Sequence, residues 1–208
     1  MAQNTVLDKL ASAQNIRNTE SNKELAKQIT GTGDKKAVAE LIANLNNKAV
    51  QSDCIKVLYE IGDINPALIT NYAPEFLSLL DSKNNRMQWG AMTALDMIAA
   101  ENAALIYESL GKIMAIADKG SVITKDHCVG ILIKLCTHKR YAADAFALFI
   151  TLLQQCPPNQ VPMYAEQALP VITKDNKEVF IRTLQARLPD IEKEPKKRRI
   201  EKVIKKLK

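Results

Sequence analysis

His127-Cys128 and Cys136-x-His138 place four side chains of metal-binding type in one short stretch of chain. A zinc site would need them gathered around a single point. On a continuous helix, residues eight to eleven apart lie roughly 12–16 Å apart along the axis, too far to share one ion. The spacing therefore predicts no metal site and reads the thiols as buried. With Cys54 and Cys156 the cysteines number four and form no CxxC pair, so no disulfide framework is expected. No GxSxG, glycine-rich phosphate loop or HExxH occurs, and neither histidine has an evident nucleophile partner. Neither catalysis nor a cofactor is expected. What remains is recognition chemistry: Trp89, the single Trp, and a basic run at the C-terminal end.

That run, Lys193 to Lys208, holds nine Lys or Arg and two Glu, a net of +7. Residues 1–192 hold 20 basic and 21 acidic residues, a net of −1. The high isoelectric point belongs to one segment, which weakens any reading in which the whole surface binds phosphates. The longest near-apolar run, Val129 to Cys136, is broken by Lys134 and is too short to span a bilayer. No N-terminal stretch has the layout of a signal peptide, so a cytoplasmic location and no membrane partner are expected.

These residues need elements to position them, and the elements repeat. Cys54, Val57, Leu58 and Ile61 form an i, i+3, i+4, i+7 stripe, the mark of an amphipathic helix. Adding 37 gives Ala91, Ala94, Leu95 and Ile98; then Cys128, Ile131, Leu132 and Leu135; then Ala165, Ala168, Leu169 and Ile172. The first position is always small, as a close helix–helix contact requires. A second stripe runs about twelve residues ahead: Ala39 and Ile42, Phe76 and Leu79, Ile113 and Ile116, Ile150 and Leu153. Turn residues separate the two, as in Asp81-Ser82-Lys83-Asn84-Asn85 and Cys156-Pro157-Pro158-Asn159. Each unit thus reads as a helical hairpin that buries its apolar face only by stacking on its neighbours, an α-solenoid.

The stretch Val50-Gln51-Ser52-Asp53-Cys54-Ile55-Lys56-Val57-Leu58-Tyr59-Glu60-Ile61-Gly62 resembles the second helix of a HEAT repeat, in the HEAT/armadillo-like group. Arg86 to Ala99 resembles it too, with Asp81 at a fitting distance ahead. Gln51 stands where that family commonly has Arg. The resemblance covers roughly Lys35 to Ile172 and implies an architecture rather than an individual protein.

The expected fold is all-α: about five HEAT-like hairpins with a period near 37 residues, preceded by an N-terminal capping hairpin. Residues 1–34 form the cap, in part disordered, with short stripes Val6, Leu10, Ala13 and Leu25, Ala26, Ile29 ended by Thr30-Gly31-Thr32-Gly33-Asp34. The repeats fall at 35–62, 66–99, 103–137, 140–172 and 175–208, in one continuous domain. The basic run belongs to the last of them. A shift of 35 carries the fourth stripe onto Ile200, Val203, Ile204 and Leu207, with the first helix of that unit from Asp175 to about Leu188. Arg198, Arg199, Lys202, Lys205 and Lys206 fall on the opposite side of the helical wheel. Capping the array explains this helix without any partner. Its cations still form a patch for an anionic partner, and Lys196-Lys197-Arg198-Arg199 would serve as a nuclear address in a eukaryote.

The resemblance implies that second helices line a concave side. The columns flanking their stripes are then the place for a protein or peptide partner: Trp89, Thr93, Met97, Asp126, His127, Lys134, Met163 and Tyr164. The expected function is a non-catalytic scaffold. Nucleic-acid association through the basic helix is the alternative. A third reading rests on the resemblance alone. HEAT-like folds include alkylpurine DNA glycosylases, which set aromatic residues and an acid on a basic concave face, and Trp89 with Asp96 or Asp126 would imitate that set. The near-neutral body argues against it.

Overall fold

The computed structural model describes residues 5–16 and 20–208. Scarce glycine and the 3.6-residue stripes translate into helices, and no strand occurs among the described residues. In chain order they are α1 (Glu20–Thr32), α2 (Lys35–Ala43), α3 (Gln51–Ile64), α4 (Ala73–Leu79), α5 (Asn85–Ile98), α6 (Ala103–Glu108), α7 (Leu110–Lys119), α8 (Val122–Cys136), α9 (Ala142–Gln155), α10 (Val161–Ala168), α11 (Lys177–Arg187) and α12 (Glu194–Leu207). The short 3-10 turns Pro66–Leu68 and Thr70–Tyr72 precede α4, and α6 precedes α7. The second and third units therefore carry a leading helical turn that a plain hairpin lacks. Three-helix units of this kind are the armadillo variant of the repeat.

Capping residues set several helix starts. The Asp34 carboxylate accepts from the Lys36 and Ala37 amides, both at 3.0 Å, and Asn84 Oδ1 accepts from the Arg86 amide at 3.0 Å. Gly33, at φ +64°, lets the chain turn out of α1. The helix runs on through Thr30 and Gly31, so the break expected over residues 30–34 comes at its end.

The chain divides into two compact units, Met1–Cys128 and Val129–Lys208. In the first, α3 packs on α1 and on α5, with α2 against α3 and α4 against α5. In the second, α11 packs on α9, and α12 rests on α10 and α11. The repeating stripe is the core of both. Its members in α3, α5 and α8 are fully buried, as are Ala165, Ala168 and Ile200.

Three readings of register need correction. The N-terminal stripe of Val6, Leu10 and Ala13 is not a helix: Leu7–Lys9 is a single 3-10 turn, Ala11 is buried and Ala13 is exposed. Helix α1 is better described as a second helix. Its buried residues Asn22, Leu25, Ala26 and Ile29 repeat the α3 stripe at a shift of 32, and α1 packs on α3 as α3 does on α5. In α2 the buried residues are Ala37, Val38 and Leu41, while Ala39 is exposed. The link from α2 to α3 (residues 44–50) is longer than that from α4 to α5 (residues 80–84), so the two stripes of a unit do not keep one spacing. In α10 the α-helix stops at Ala168 because Pro170 has no amide to continue it. Leu169 and Ile172 are then only half-buried, and Val171 turns inward.

Helix α11 packs through one side. Val179 is exposed, and the buried side is Phe180, Ile181, Thr183, Leu184 and Arg187. Arg187 lies against the end of α9. Its guanidinium donates to the carbonyls of Leu153 (2.7 Å), Gln154 (2.6 Å) and Cys156 (2.8 Å), and its Nε to Asp190 at 2.7 Å. A buried cation at a helix C-terminus satisfies the unpaired carbonyls and meets the negative end of the dipole.

Candidate partner-binding surface

With the stripes buried, the columns beside them have fixed directions. In α3, α5 and α8 the column one residue before the stripe faces the preceding second helix. Asp53 Oδ1 on α3 accepts from the Asn22 amide on α1 at 2.8 Å, and Asp53 Oδ2 accepts from the Ser12 amide at 2.8 Å. Asn22 is wholly buried and its Oδ1 accepts from the Ala11 amide at 3.0 Å. Gly90 on α5 stands so close to α3 that a Cβ there would lie 2.7 Å from Ile55 Cγ1. His127 Nδ1 on α8 lies 2.8 Å from Asp96 Oδ2 on α5. This column is packing, and the candidates drawn from it change accordingly. Tyr164 is 1% exposed and is not available to a partner; His127 is half-buried and tied to Asp96.

The column two residues before the stripe is the accessible one: Ser52, Trp89, Asp126 and Met163 are all half-buried. Trp89 stacks on Tyr59 of α3, with ring centroids 5.9 Å apart and planes tilted by 50°. Lys56 Nζ stands 4.9 Å from the Tyr59 ring centroid and is ion-paired to Glu60. Burial works against the Lys56 ammonium, but its bonds to Glu60 and Tyr59 outweigh that and hold its pKa above the ordinary lysine value. Sequence reasoning passed over Tyr59 and Lys56. The signal was their place one helical turn apart on α3, across from Trp89. Thr93 leaves the set of candidates: it is 6% exposed, and its hydroxyl donates to the Trp89 carbonyl at 2.9 Å. Met97 is half-buried on the same helix.

The arrangement offers an aromatic shelf with charged side chains beside it. Of the two acids offered for base excision, Asp96 is buried and bonded to His127, while Asp126 is half-buried. Burial pushes the thiols of Cys54 and Cys128 up to about 12 and that of Cys136 to about 11, so none is a thiolate near neutral pH. Among the described residues no three His, Cys, Asp or Glu side chains gather to hold a metal ion, and no helix is long and apolar enough to cross a membrane.

In the second unit Met163 and Lys134 are half-buried. On α12, Arg198, Arg199, Lys202, Lys205 and Lys206 are exposed, and Arg199 is also engaged. Its Nε and Nη2 donate to Glu166 on α10 at 2.8 and 2.6 Å. The hydrogen bond from Arg199 holds the Glu166 carboxyl below the usual range.

No family model matches this chain, and no curated protein matches it in sequence. Solved structures do. A designed armadillo repeat protein in complex with the peptide (KR)4 superposes with a TM-score of 0.66 at 16% identity, over 89% of this chain and 87% of that one. The fold is armadillo-like. A second designed armadillo repeat protein gives 0.64 at 14% identity, over 97% of this chain and 100% of that one. An engineered protein gives 0.61 at 17% identity, over 97% and 98%. At such identities the armadillo likeness is one of fold.

Proposed function

We propose that this chain is a non-catalytic armadillo-like scaffold that binds a protein or peptide segment across its second helices, with Trp89 as the anchor. The carrying observation is the half-buried Trp89 packed against the tilted ring of Tyr59. A rigid aromatic pair offers large contact area at small entropic cost, and Trp and Tyr are the residues most often found to dominate binding energy. Met97, about two turns further along α5, and Asp126 in its column extend a mixed apolar and acidic surface. The peptide-bound designed armadillo protein supports the reading at the level of fold.

Trp89 is the only Trp, so its emission reports on this surface alone. A peptide library displayed against the purified protein should yield segments whose binding shifts that emission. Trp89→Ala should weaken the selected peptides by roughly thirtyfold or more, the loss of an anchoring aromatic. Peptides that bind Trp89→Ala as well as they bind the parent chain would overturn the assignment.

A further inference from the structure

Four of the exposed cations of α12, Arg198, Lys202, Lys205 and Lys206, are not absorbed by that reading. Helix α12 has spent its apolar face: Ile200 is fully buried, and Val203 and Ile204 nearly so, against the rest of the second unit. An amphipathic helix that lies on lipid needs that face free. The opposite face is therefore presented to solvent as charge alone.

The helix is also held in place. Arg199 clamps Glu166 on α10, and Lys196 Nζ donates to the Asn159 carbonyl at 3.1 Å. Arg198, Lys202, Lys205 and Lys206 then project from a fixed rod. At 1.5 Å per residue, the first and last are about 12 Å apart along the axis, a mean spacing of about 4 Å between cations. One strand of duplex DNA carries a phosphate about every 3.4 Å of its axis. Glu194, itself exposed, lies 3.9 Å from Arg198 at the edge of this stripe. Nor does the body of the second unit neutralise it. Outside the basic run, residues 129–192 hold seven Lys or Arg and six Asp or Glu, a net of +1. Single-stranded nucleic acid is gripped by stacking bases on aromatic side chains, and α12 has none.

We propose that the outward face of α12, through Arg198, Lys202, Lys205 and Lys206, binds the phosphate backbone of double-stranded DNA without reading its sequence. The contact is electrostatic and separate from the Trp89 surface.

The test uses the full chain and fluorescence anisotropy with two labelled duplexes of about 24 base pairs and unrelated sequence. Both should bind with affinities within about threefold of each other, and four phosphate contacts should cost about a hundredfold in affinity between 50 and 200 mM salt. Combined replacement Arg198→Glu, Lys202→Glu, Lys205→Glu and Lys206→Glu should reduce binding at least tenfold with an unchanged circular dichroism spectrum. Trp89→Ala should bind DNA like the parent. Three results would overturn the proposal: charge reversal without effect, affinity indifferent to salt, or stronger binding to poly-glutamate, to phosphatidylserine vesicles or to a single-stranded oligonucleotide than to the duplex.

Discussion

Tyr59 on α3 and Trp89 on α5 pack ring against ring, centroids 5.9 Å apart, and so join two successive second helices at the surface rather than in the core. The contact gives Trp89 a fixed orientation while leaving part of its indole open. Removing Tyr59 should therefore act twice. Tyr59→Ala is expected to destabilise the fold by about 1–3 kcal/mol and to move Trp89 emission to longer wavelength. A double-mutant cycle with Trp89→Phe, followed by urea denaturation, should show coupling of about 0.5–1.5 kcal/mol. Coupling near zero would mean that the rings are mere neighbours.

Asn22 is the buried link between the N-terminal segment and α3. Asn22→Leu would leave the Asp53 carboxylate and the Ala11 amide each short of a partner. The expected cost is about 2–4 kcal/mol in urea denaturation, with faster hydrogen exchange at Ala11 and Ser12. Asn22→Asp should be worse, because it sets a second carboxylate against Asp53. A silent Asn22→Leu would show that the segment is not held by this network.

Two glycines should respond in opposite directions. At Gly90 an added methyl meets Ile55, and Gly90→Ala should cost about 1–3 kcal/mol by prying α5 from α3. At Gly111, in α7, a Cβ meets nothing within 4 Å. Gly111→Ala should stabilise by about 0.5–1 kcal/mol through helix propensity. Melting temperatures of the two variants decide the matter, and equal shifts would refute the close approach at Gly90.

The Glu166–Arg199 pair sets a pH dependence of known sign. The carboxyl is held below its ordinary value, so its contribution is present above the unfolded value, about 4.3, and is lost as pH falls through the folded one. Both partners are substantially exposed, which keeps the effect below about 1 kcal/mol. Glu166→Gln should melt slightly lower than the parent at pH 7, and the difference should vanish toward pH 3. A difference that grows with acid would reverse the assignment.

The second-helix stripes were legible because burial repeats with the helical turn and the small first residue marks a close contact. The same logic, applied at a rigid 37-residue shift, misplaced Ala39 and missed that Asn22 to Ile29 is the α3 stripe moved by 32. Links of unequal length break the shift without disturbing either helix. Val6 and Leu10 were found as core, but Ala13 was not, since a 3-10 turn does not keep the 3.6-residue period.

The surface candidates were less legible for a related reason. Trp89, Asp126, His127 and Tyr164 sit beside their stripes, where a few tens of degrees separate solvent from a neighbouring helix. The sequence by itself determined that the chain is helical, where the buried stripes lie and that the cations of α12 oppose its apolar face, because each follows from the period of one helix. Only the tertiary structure decided that Asp53 meets Asn22, that His127 meets Asp96, that Tyr164 and Thr93 are closed off and that Trp89 leans on Tyr59. Those outcomes depend on how closely and at what angle successive helices approach, which the period of a single helix does not contain.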